Sequence, residues 1–230
     1  MSQLIDNLNT IESVKTDIKS AIENKGVDMT GVSFPGYASK IGEISVGGGW
    51  DQKSITEGTV EIINLNNSAS FVVSNAFQNN TNIQTVNLPY ATTVGNNAFK
   101  GCYSLSQVSL PICSIIGSNA FGYCSSLSQV DLPVCSIISE YAFDGCRSLS
   151  QVSLPMCNTI SGYAFGYCSS LSIITIGYSS VCSLGGSTVF TNTQITSSTG
   201  SIYVPVSLVD AYKSATNWSY FSTQIFPIPE

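Results

Sequence analysis

The sequence contains no histidine. Histidine is the general base of Ser-His-Asp and Cys-His triads, a ligand in two-histidine zinc helices, and the usual pH switch near neutrality. The absence of histidine therefore excludes these three kinds of site.

Charged residues are also scarce, at 10% of 230 residues, compared with roughly 25% in an ordinary soluble domain. The chain has eight Lys and Arg and 14 Asp and Glu, which gives a net charge of −6. This acidic balance argues against nucleic acid or an anionic membrane surface as a partner, because both require a basic surface. No apolar run approaches the roughly 20 residues that span a bilayer, and the N-terminus does not resemble a secretory signal peptide.

An internal repeat of 22 residues runs through most of the chain. The pair Ala-Phe recurs at this interval, leucine followed by proline recurs with it, and cysteines form two further ladders of the same period. A sixth, degraded copy follows a three-residue insertion. The phenylalanines of the six copies are Phe77, Phe99, Phe121, Phe143, Phe165 and Phe190.

The best-preserved unit predicts a leucine-rich repeat. Its first half, LSQVSLPICSI from Leu105 to Ile115, fits the template L-x-x-L-x-L-x-x-N/C-x-L. Val108 and Leu110 alternate with polar residues, as in a strand with one buried face, and the next residue is a proline, which ends the strand's hydrogen bonding. The IGSNAF segment that follows is expected to form a helical or 3₁₀ turn that directs Phe121 inward.

The fold class predicted is therefore an α/β repeat solenoid with repeats of about 22 residues. Five to six coils over 62–190 bury a stripe that no single repeat can bury alone. Charged side chains at one repeat position would meet their copies about 5 Å away, which explains why Ser, Thr, Asn and Gln fill the surface.

The two ends differ from the repeats. Residues 1–46 are interpreted as a helical attachment or oligomerisation segment, and 47–61 as a glycine linker with an entry strand. The apolar stripe of the helix either self-associates or packs on its own chain. Its candidate oligomerisation residues are Leu4, Leu8, Ile11, Val14, Ile18 and Ile22.

Residues 191–230 are predicted to cap the solenoid with a strand followed by a helix. The strand covers 202–205, and Ser207 begins a capping-box-like helix start. The bulky side chains of Trp218, Tyr220 and Phe221 are expected to close the stack, since terminal repeats need a cap for solubility.

The unit LPxCxxIGxxAFxxCxSLxxV and the ending IYVPVSLVDAYKSATNW resemble the BspA-type leucine-rich repeat family over about 62–225. The resemblance implies a right-handed, slightly curved solenoid with non-catalytic roles in surface adhesion or in host and matrix binding. It supplies no catalytic residues. The secretory signal and cell-wall anchor expected of bacterial surface members are not found in the sequence.

A second resemblance concerns the N-terminal segment. The stretch IKSAIENKGVDMTGVSFPGYASKIGEI, at about 15–46, is similar to N-terminal modules of phage virion proteins, especially tail or fibre components. In those proteins such a module precedes a variable C-terminal module.

The chemistry-bearing residues predict no enzyme, metal site or cofactor. The cysteines are spaced by 11 and 22 residues rather than paired as C-x-x-C, so reduced core thiols are expected, with disulfides between neighbouring coils as the alternative. Asp131 has no second carboxylate facing it at the distance that glycoside hydrolysis requires.

A ligand-binding surface remains. The outward residues of the strands form a polar, amide-rich strip that could hold glycans by hydrogen bonding and ring stacking; the alternative is that these side chains only solvate the sheet. The candidate binding residues are Tyr90, Gln107, Gln129, Asp131, Gln151 and Tyr178.

Three functions are therefore considered. The first is a phage virion fibre or decoration protein, a homo-oligomer and most simply a trimer through its N-terminal helix, that displays the solenoid to a host surface. The second is a bacterial BspA-like cell-surface adhesin, and the third is an intracellular scaffold. The expected partners are a second copy of the chain, a larger virion or surface assembly, and a glycan or host-surface protein.

Overall fold

The computed structural model describes residues 62–64, 71–72 and 74–229. These residues cover the repeats and the C-terminal cap. The predicted N-terminal helix of 1–46 with its six candidate oligomerisation residues, and the predicted linker of 47–61, lie outside the described residues.

One strand per coil forms the long-strand face of the solenoid. The strands pair in parallel within two sheets, and the regular coils keep a register of 22 residues, so that Gln107 lies beside Gln129, and Ile173 beside Gln151. The inward residues are buried and the outward ones are polar, as the alternation predicts. The strands are β1 Ile62–Asn64, β3 Thr85–Asn87, β5 Gln107–Ser109, β7 Gln129–Asp131, β9 Gln151–Leu154, β11 Ile173–Ile176, β13 Ser201–Val204 and β14 Ile225–Pro227.

A second, shorter strand in each coil forms a continuous parallel sheet that the sequence analysis did not predict. Two residues per coil give too short a run for a period-2 signal to stand out. This short-strand face follows the proline corner and places one residue of each pair in the core. Its strands are β2 Phe71–Val72, β4 Thr93–Val94, β6 Ile115–Ile116, β8 Ile137–Ile138, β10 Thr159–Ile160 and β12 Ser183–Leu184.

The third side of each coil is a tight turn rather than the helical or 3₁₀ turn predicted from IGSNAF. Only the last copy forms a 3₁₀ helix, Ser187–Phe190. Asn or Gly at positive φ reverses the chain in most coils, which is why the segment does not continue as a helix. Each turn nevertheless buries its phenylalanine, as predicted, and the alanine before it is also buried at 98, 120, 142 and 164.

The phenylalanines form one column through the core. Phe121 and Phe143 are fully buried, with ring centroids 5.3 Å apart and planes 8° from parallel. Phe143 and Phe165 are 5.4 Å apart, and the stack extends to Phe77 at one end and Phe190 at the other. The column confirms the prediction that the Ala-Phe turn directs Phe121 inward.

All eight cysteines are buried free thiols. In one ladder each thiol donates to the carbonyl oxygen of a phenylalanine in the preceding coil, as Cys124 does to Phe99 and Cys146 to Phe121, both at 3.1 Å. These small side chains fill the core and also satisfy carbonyl groups that face it.

The C-terminal cap closes the stack with aromatic side chains. Phe221 meets Phe190 edge-on, with ring centroids 5.3 Å apart, and Trp218 follows at 6.4 Å. Trp218 Nε1 donates to Cys182 O at 2.6 Å, and the Tyr212 hydroxyl accepts the Cys182 N–H at 2.9 Å. The cap thus provides hydrogen-bond partners for backbone groups beside the last short strand, which would otherwise have none.

The observed cap differs from the predicted one in three details. The strand is Ser201–Val204, and the helix that follows, α1, covers Val209–Ser214. Ser207 does not cap it, because Ser207 lies inside a 3₁₀ helix, Val206–Leu208, and the N-cap residue Leu208 makes no side-chain cap hydrogen bond. A second 3₁₀ segment, Trp218–Gln224, leads into the unpredicted strand β14.

Candidate binding groove on the strand face

A groove of about 530 Å³ runs across the long-strand face. Its floor and walls come from five consecutive coils, because the same strand positions recur in each of them. Among the residues that line it, Asp131 is the only charged one. The lining consists of Thr85, Val86, Asn87, Gln107, Val108, Ser109, Ser128, Gln129, Val130, Asp131, Gln151, Val152, Ser153, Ile173 and Thr175.

The groove brings together four of the six predicted binding residues. Gln107, Gln129 and Gln151 occupy one outward strand position, and Asp131 occupies the next, so that the 22-residue register places them in neighbouring coils. All four side chains are exposed. Gln107 Nε2 donates to Gln129 Oε1 at 3.2 Å, which begins a ladder of amides along the solenoid axis.

The other two candidate binding residues, Tyr90 and Tyr178, are not among the residues that line this groove. Tyr90 follows Pro89 and Tyr178 follows Gly177, at the corner where the chain leaves the long-strand face. Tyr90 is 51% exposed and Tyr178 is half-buried. The groove therefore offers amides, hydroxyls and one carboxylate, without an aromatic ring.

The sheet of long strands is interrupted inside the groove. Among the described strands, β1-β3-β5-β7 and β9-β11-β13-β14 form two separate sheets, and no ladder joins β7 to β9. The Ser128 N–H donates to Ser106 O at 3.0 Å, and the Ser172 N–H to Ser150 O at 2.9 Å, but no equivalent bond links Ser150 to Ser128 in this described region. The two strands that carry Gln129, Asp131 and Gln151 thus leave backbone groups open to a ligand.

The break also exposes part of the core. Val130 is half-buried, whereas Val108 and Val152, its counterparts in the flanking coils, are each 3% exposed. Across the break, Ser148 donates its N–H and its hydroxyl to Ser125 O, at 3.2 and 2.8 Å. The groove therefore combines polar walls with a small apolar strip at its base.

Sequence reasoning missed this break, and the sequence holds one signal of it. The heptapeptide SLSQVSL at 104–110 and at 148–154 reads SLSQVDL at 126–132, so Asp131 is the single difference between these three heptapeptides. Asp131 lies in register with Ser109 on β5, next to the edge where pairing ends.

The chemistry available in the groove is hydrogen bonding. Primary amides donate and accept at once, and the carboxylate accepts from hydroxyl or amide donors. Among the described residues, no cluster of three His, Cys, Asp or Glu side chains could hold a metal ion, and no helix is long and apolar enough to cross a membrane.

The sequence profile of the BspA type leucine-rich repeat region matches the chain in six copies, over residues 54–172 and 92–215. The chain belongs to the BspA-type leucine-rich repeat family. The repeats of this BspA-type solenoid account for both parallel sheets and for the Ala-Phe column, and their register assembles the groove.

Solved structures of leucine-rich repeat proteins resemble this BspA-type chain in fold. A leucine-rich repeat protein of T. pallidum is 31% identical over 46% of this chain and 51% of its own, with a TM-score of 0.44. A leucine-rich cell surface protein of Faecalibacterium prausnitzii is 18% identical over 72% and 55%, with a TM-score of 0.48. The pneumococcal vaccine antigen PcpA is 18% identical over 74% and 42%, with a TM-score of 0.53.

The BspA-type chain thus spans about half the length of the solved structures that it matches. Among curated proteins, none matches it.

Proposed function

We propose that this chain is a non-enzymatic binding module displayed on a bacterial cell surface, and that the strand-face groove holds a host-surface glycan. The observation that carries the proposal is the assembly of Gln107, Gln129, Gln151 and Asp131 in one groove at the parting of the sheet. Surface adhesion is also what membership of the BspA-type family implies.

The chemistry of the groove favours a neutral, hydroxyl-rich ligand. A row of amides at one strand position offers donors and acceptors to successive sugar hydroxyls, and a few placed polar groups are what fixes a ligand's orientation. The chain's net charge of −6, with one carboxylate in the groove, disfavours a polyanionic ligand. A lone carboxylate also gives no acid–base pair for glycoside hydrolysis.

The test compares a groove variant with a matched control. The double variant Gln129→Ala, Asp131→Ala removes the centre of the groove, whereas Gln78→Ala removes an exposed glutamine that is not among its lining residues. Glycan-array and host-cell binding of the full chain should fall about tenfold or more in the double variant and stay unchanged in the control. Equal binding by all three proteins would remove the groove as the site.

A second candidate function is display on a phage particle. The similarity of residues 15–46 to virion modules supports it, since such modules attach a variable binding domain to a larger assembly. Mass spectrometry of purified virions that detects the chain, or a gene neighbourhood of capsid and tail genes, would favour the phage over the cell surface.

Either form of display fits the predicted homo-oligomer through residues 1–46. The heptad-spaced apolar stripe is costly in water unless another surface covers it, and a second or third copy provides one. Light scattering should report an oligomer, most simply a trimer, for the full chain and a monomer for a chain that begins at Trp50. A monomeric full chain would contradict self-association and leave attachment to a different partner.

A further inference from the structure

Each of the first five coils has two backbone positions with φ in the left-handed region, between 54° and 62° at the first and between 55° and 74° at the second. Glycine and asparagine adopt this conformation with the least steric cost, and a bulky residue there is an outlier. The first position is occupied by Asn75, Asn97, Asn119, Tyr141 and Tyr163, and the second by Asn79, Gly101, Tyr123, Gly145 and Tyr167.

Four tyrosines thus stand where the other coils use asparagine or glycine. Core packing does not account for them, because Tyr123, Tyr141 and Tyr167 are 48%, 38% and 49% exposed and Tyr163 is partly exposed. The other coils show that the turn forms without them. Strained residues that serve neither the backbone nor the core are expected where a surface has a function. We name Tyr123, Tyr141, Tyr163 and Tyr167 the tyrosine edge.

The rings of the tyrosine edge are held in place. Tyr141 and Tyr163 stack, with centroids 5.1 Å apart and planes 6° from parallel. The Tyr123 ring lies against the backbone of Gly145 in the next coil, where a Cβ would come within 2.9 Å of it. On the other side, Lys100 of the preceding coil places its Nζ atom 5.9 Å from the centroid of the Tyr123 ring. The edge is therefore a rigid aromatic surface, which lowers the entropy cost of binding.

A buried acceptor lies within the same edge. Asp144 is 4% exposed, and its Oδ1 atom has no hydrogen-bond partner among the described residues. Oδ1 lies close to Gly166, because a Cβ atom added to this glycine would be 2.7 Å from Oδ1. The same added Cβ atom would be 3.3 Å from the Tyr163 ring. Since an unsatisfied buried acceptor is costly, a donor supplied by a ligand would relieve that cost.

We propose that the tyrosine edge, with Asp144 at its base, is a second ligand site of the solenoid that takes an extended, uncharged β-linked glycan. The tyrosines contact the C–H faces and rims of the sugar rings, and Asp144 accepts a hydrogen bond from a sugar hydroxyl. This site lies on the turn side of the coils and shares no residue with the strand-face groove.

A glycan fits the edge better than a charged ligand does. Tyrosine is amphipathic, with an apolar ring and a hydroxyl that both donates and accepts, which matches the alternating C–H and hydroxyl surface of a sugar. A pyranose ring is about as wide as the rise from one coil to the next, so successive sugars can meet successive coils. Lys100 and Asp144 carry opposite charges at the edge, and the exposed Glu140 precedes Tyr141, so charges of both signs are mixed there and give no strong attraction for a polyion.

The test restores the side chain that other coils use. In the full chain, Tyr123, Tyr141, Tyr163 and Tyr167 are all replaced by Asn, and binding to β-1,4-linked hexasaccharides of glucose and of N-acetylglucosamine is measured by calorimetry. The wild type should bind one of these probes, and the fourfold variant should bind it about tenfold or more weakly. Because asparagine relieves the backbone strain, the variant should melt at or above the wild-type temperature.

Two controls separate this site from others. Tyr103→Ser removes a 52%-exposed tyrosine outside the edge and should leave binding unchanged. The groove variant Gln129→Ala, Asp131→Ala should also keep its affinity for the hexasaccharides. The proposal is overturned if the wild type binds neither probe, if the fourfold variant binds as well as the wild type, or if only the groove variant loses binding. Should the fourfold variant melt below the wild type, Tyr141→Asn and Tyr167→Asn assayed singly carry the same test.

Discussion

Replacing Phe143 with alanine tests the Ala-Phe column directly. Phe143 is fully buried and lies between Phe121 and Phe165, at centroid distances of 5.3 and 5.4 Å. Truncating a buried phenylalanine costs about 3–5 kcal/mol, because the transfer free energy is lost and a cavity remains. Each coil is stabilised mainly by its two neighbours, so a cavity in a middle coil weakens both interfaces.

For a folded unit of this size, about 3–5 kcal/mol corresponds to a fall in melting temperature of about 6–20 °C. Thermal unfolding followed by circular dichroism measures this fall, with Tyr103→Ala as the control, because Tyr103 is aromatic but 52% exposed. Tyr103→Ala should change the stability by about 0.5 kcal/mol or less. If Phe143→Ala melts within a degree or two of the wild type, the column does not form the core of the solenoid.

Two further predictions concern the titratable core. Burial raises the pKa of Cys102 to about 12 and that of Cys113 to about 11, so a thiol reagent at pH 8 should leave these two thiols of the native protein unmodified. In denaturant the reagent should count eight cysteines, and fewer than six would contradict the free-thiol core. Burial likewise raises the pKa of the Asp144 carboxyl above its ordinary 3.8. The protonated carboxyl therefore favours the folded state, fully so below about pH 4, and this contribution to the free energy of unfolding is lost as the pH rises through the raised pKa. The Asp144→Asn variant cannot ionise, so it should be more stable than the wild type at pH 7. Urea unfolding of both proteins at pH 4 and pH 7 measures this difference. If the stability of the two proteins changes equally with pH, the carboxyl of Asp144 is not ionised in a buried position.

Much of the fold is predictable here because a repeat multiplies each weak signal. One Leu-x-x-Val-x-Leu stretch is ambiguous alone, but five copies in register define a parallel strand face and its outward residues. The same logic placed Gln107, Gln129, Asp131 and Gln151 on one surface, and the structure puts them in one groove. Tyr90 lies outside the groove because the chain turns at Pro89, by an angle that period-2 alternation does not encode.

Features that break the repeat were harder to predict. The parting of β7 from β9 is a departure from periodicity, and Asp131 is the one residue that differs in its heptapeptide. The short-strand face has two residues per coil, below the length at which strand periodicity is visible. The cap helix was predicted one residue early, since Ser207 suggested an N-cap, whereas the observed N-cap is Leu208, at the end of a 3₁₀ helix.

Hydrogen exchange of the full chain, with and without a bound host glycan, tests the central claim most directly. In the free chain, amides of 150–151 should exchange faster than those of 172–173, because only the latter donate to the neighbouring coil, at Ser150 O. Binding should slow exchange in 128–132 and 150–153, the strands on either side of the parting. Binding with unchanged exchange in both segments would contradict a ligand site in the strand-face groove.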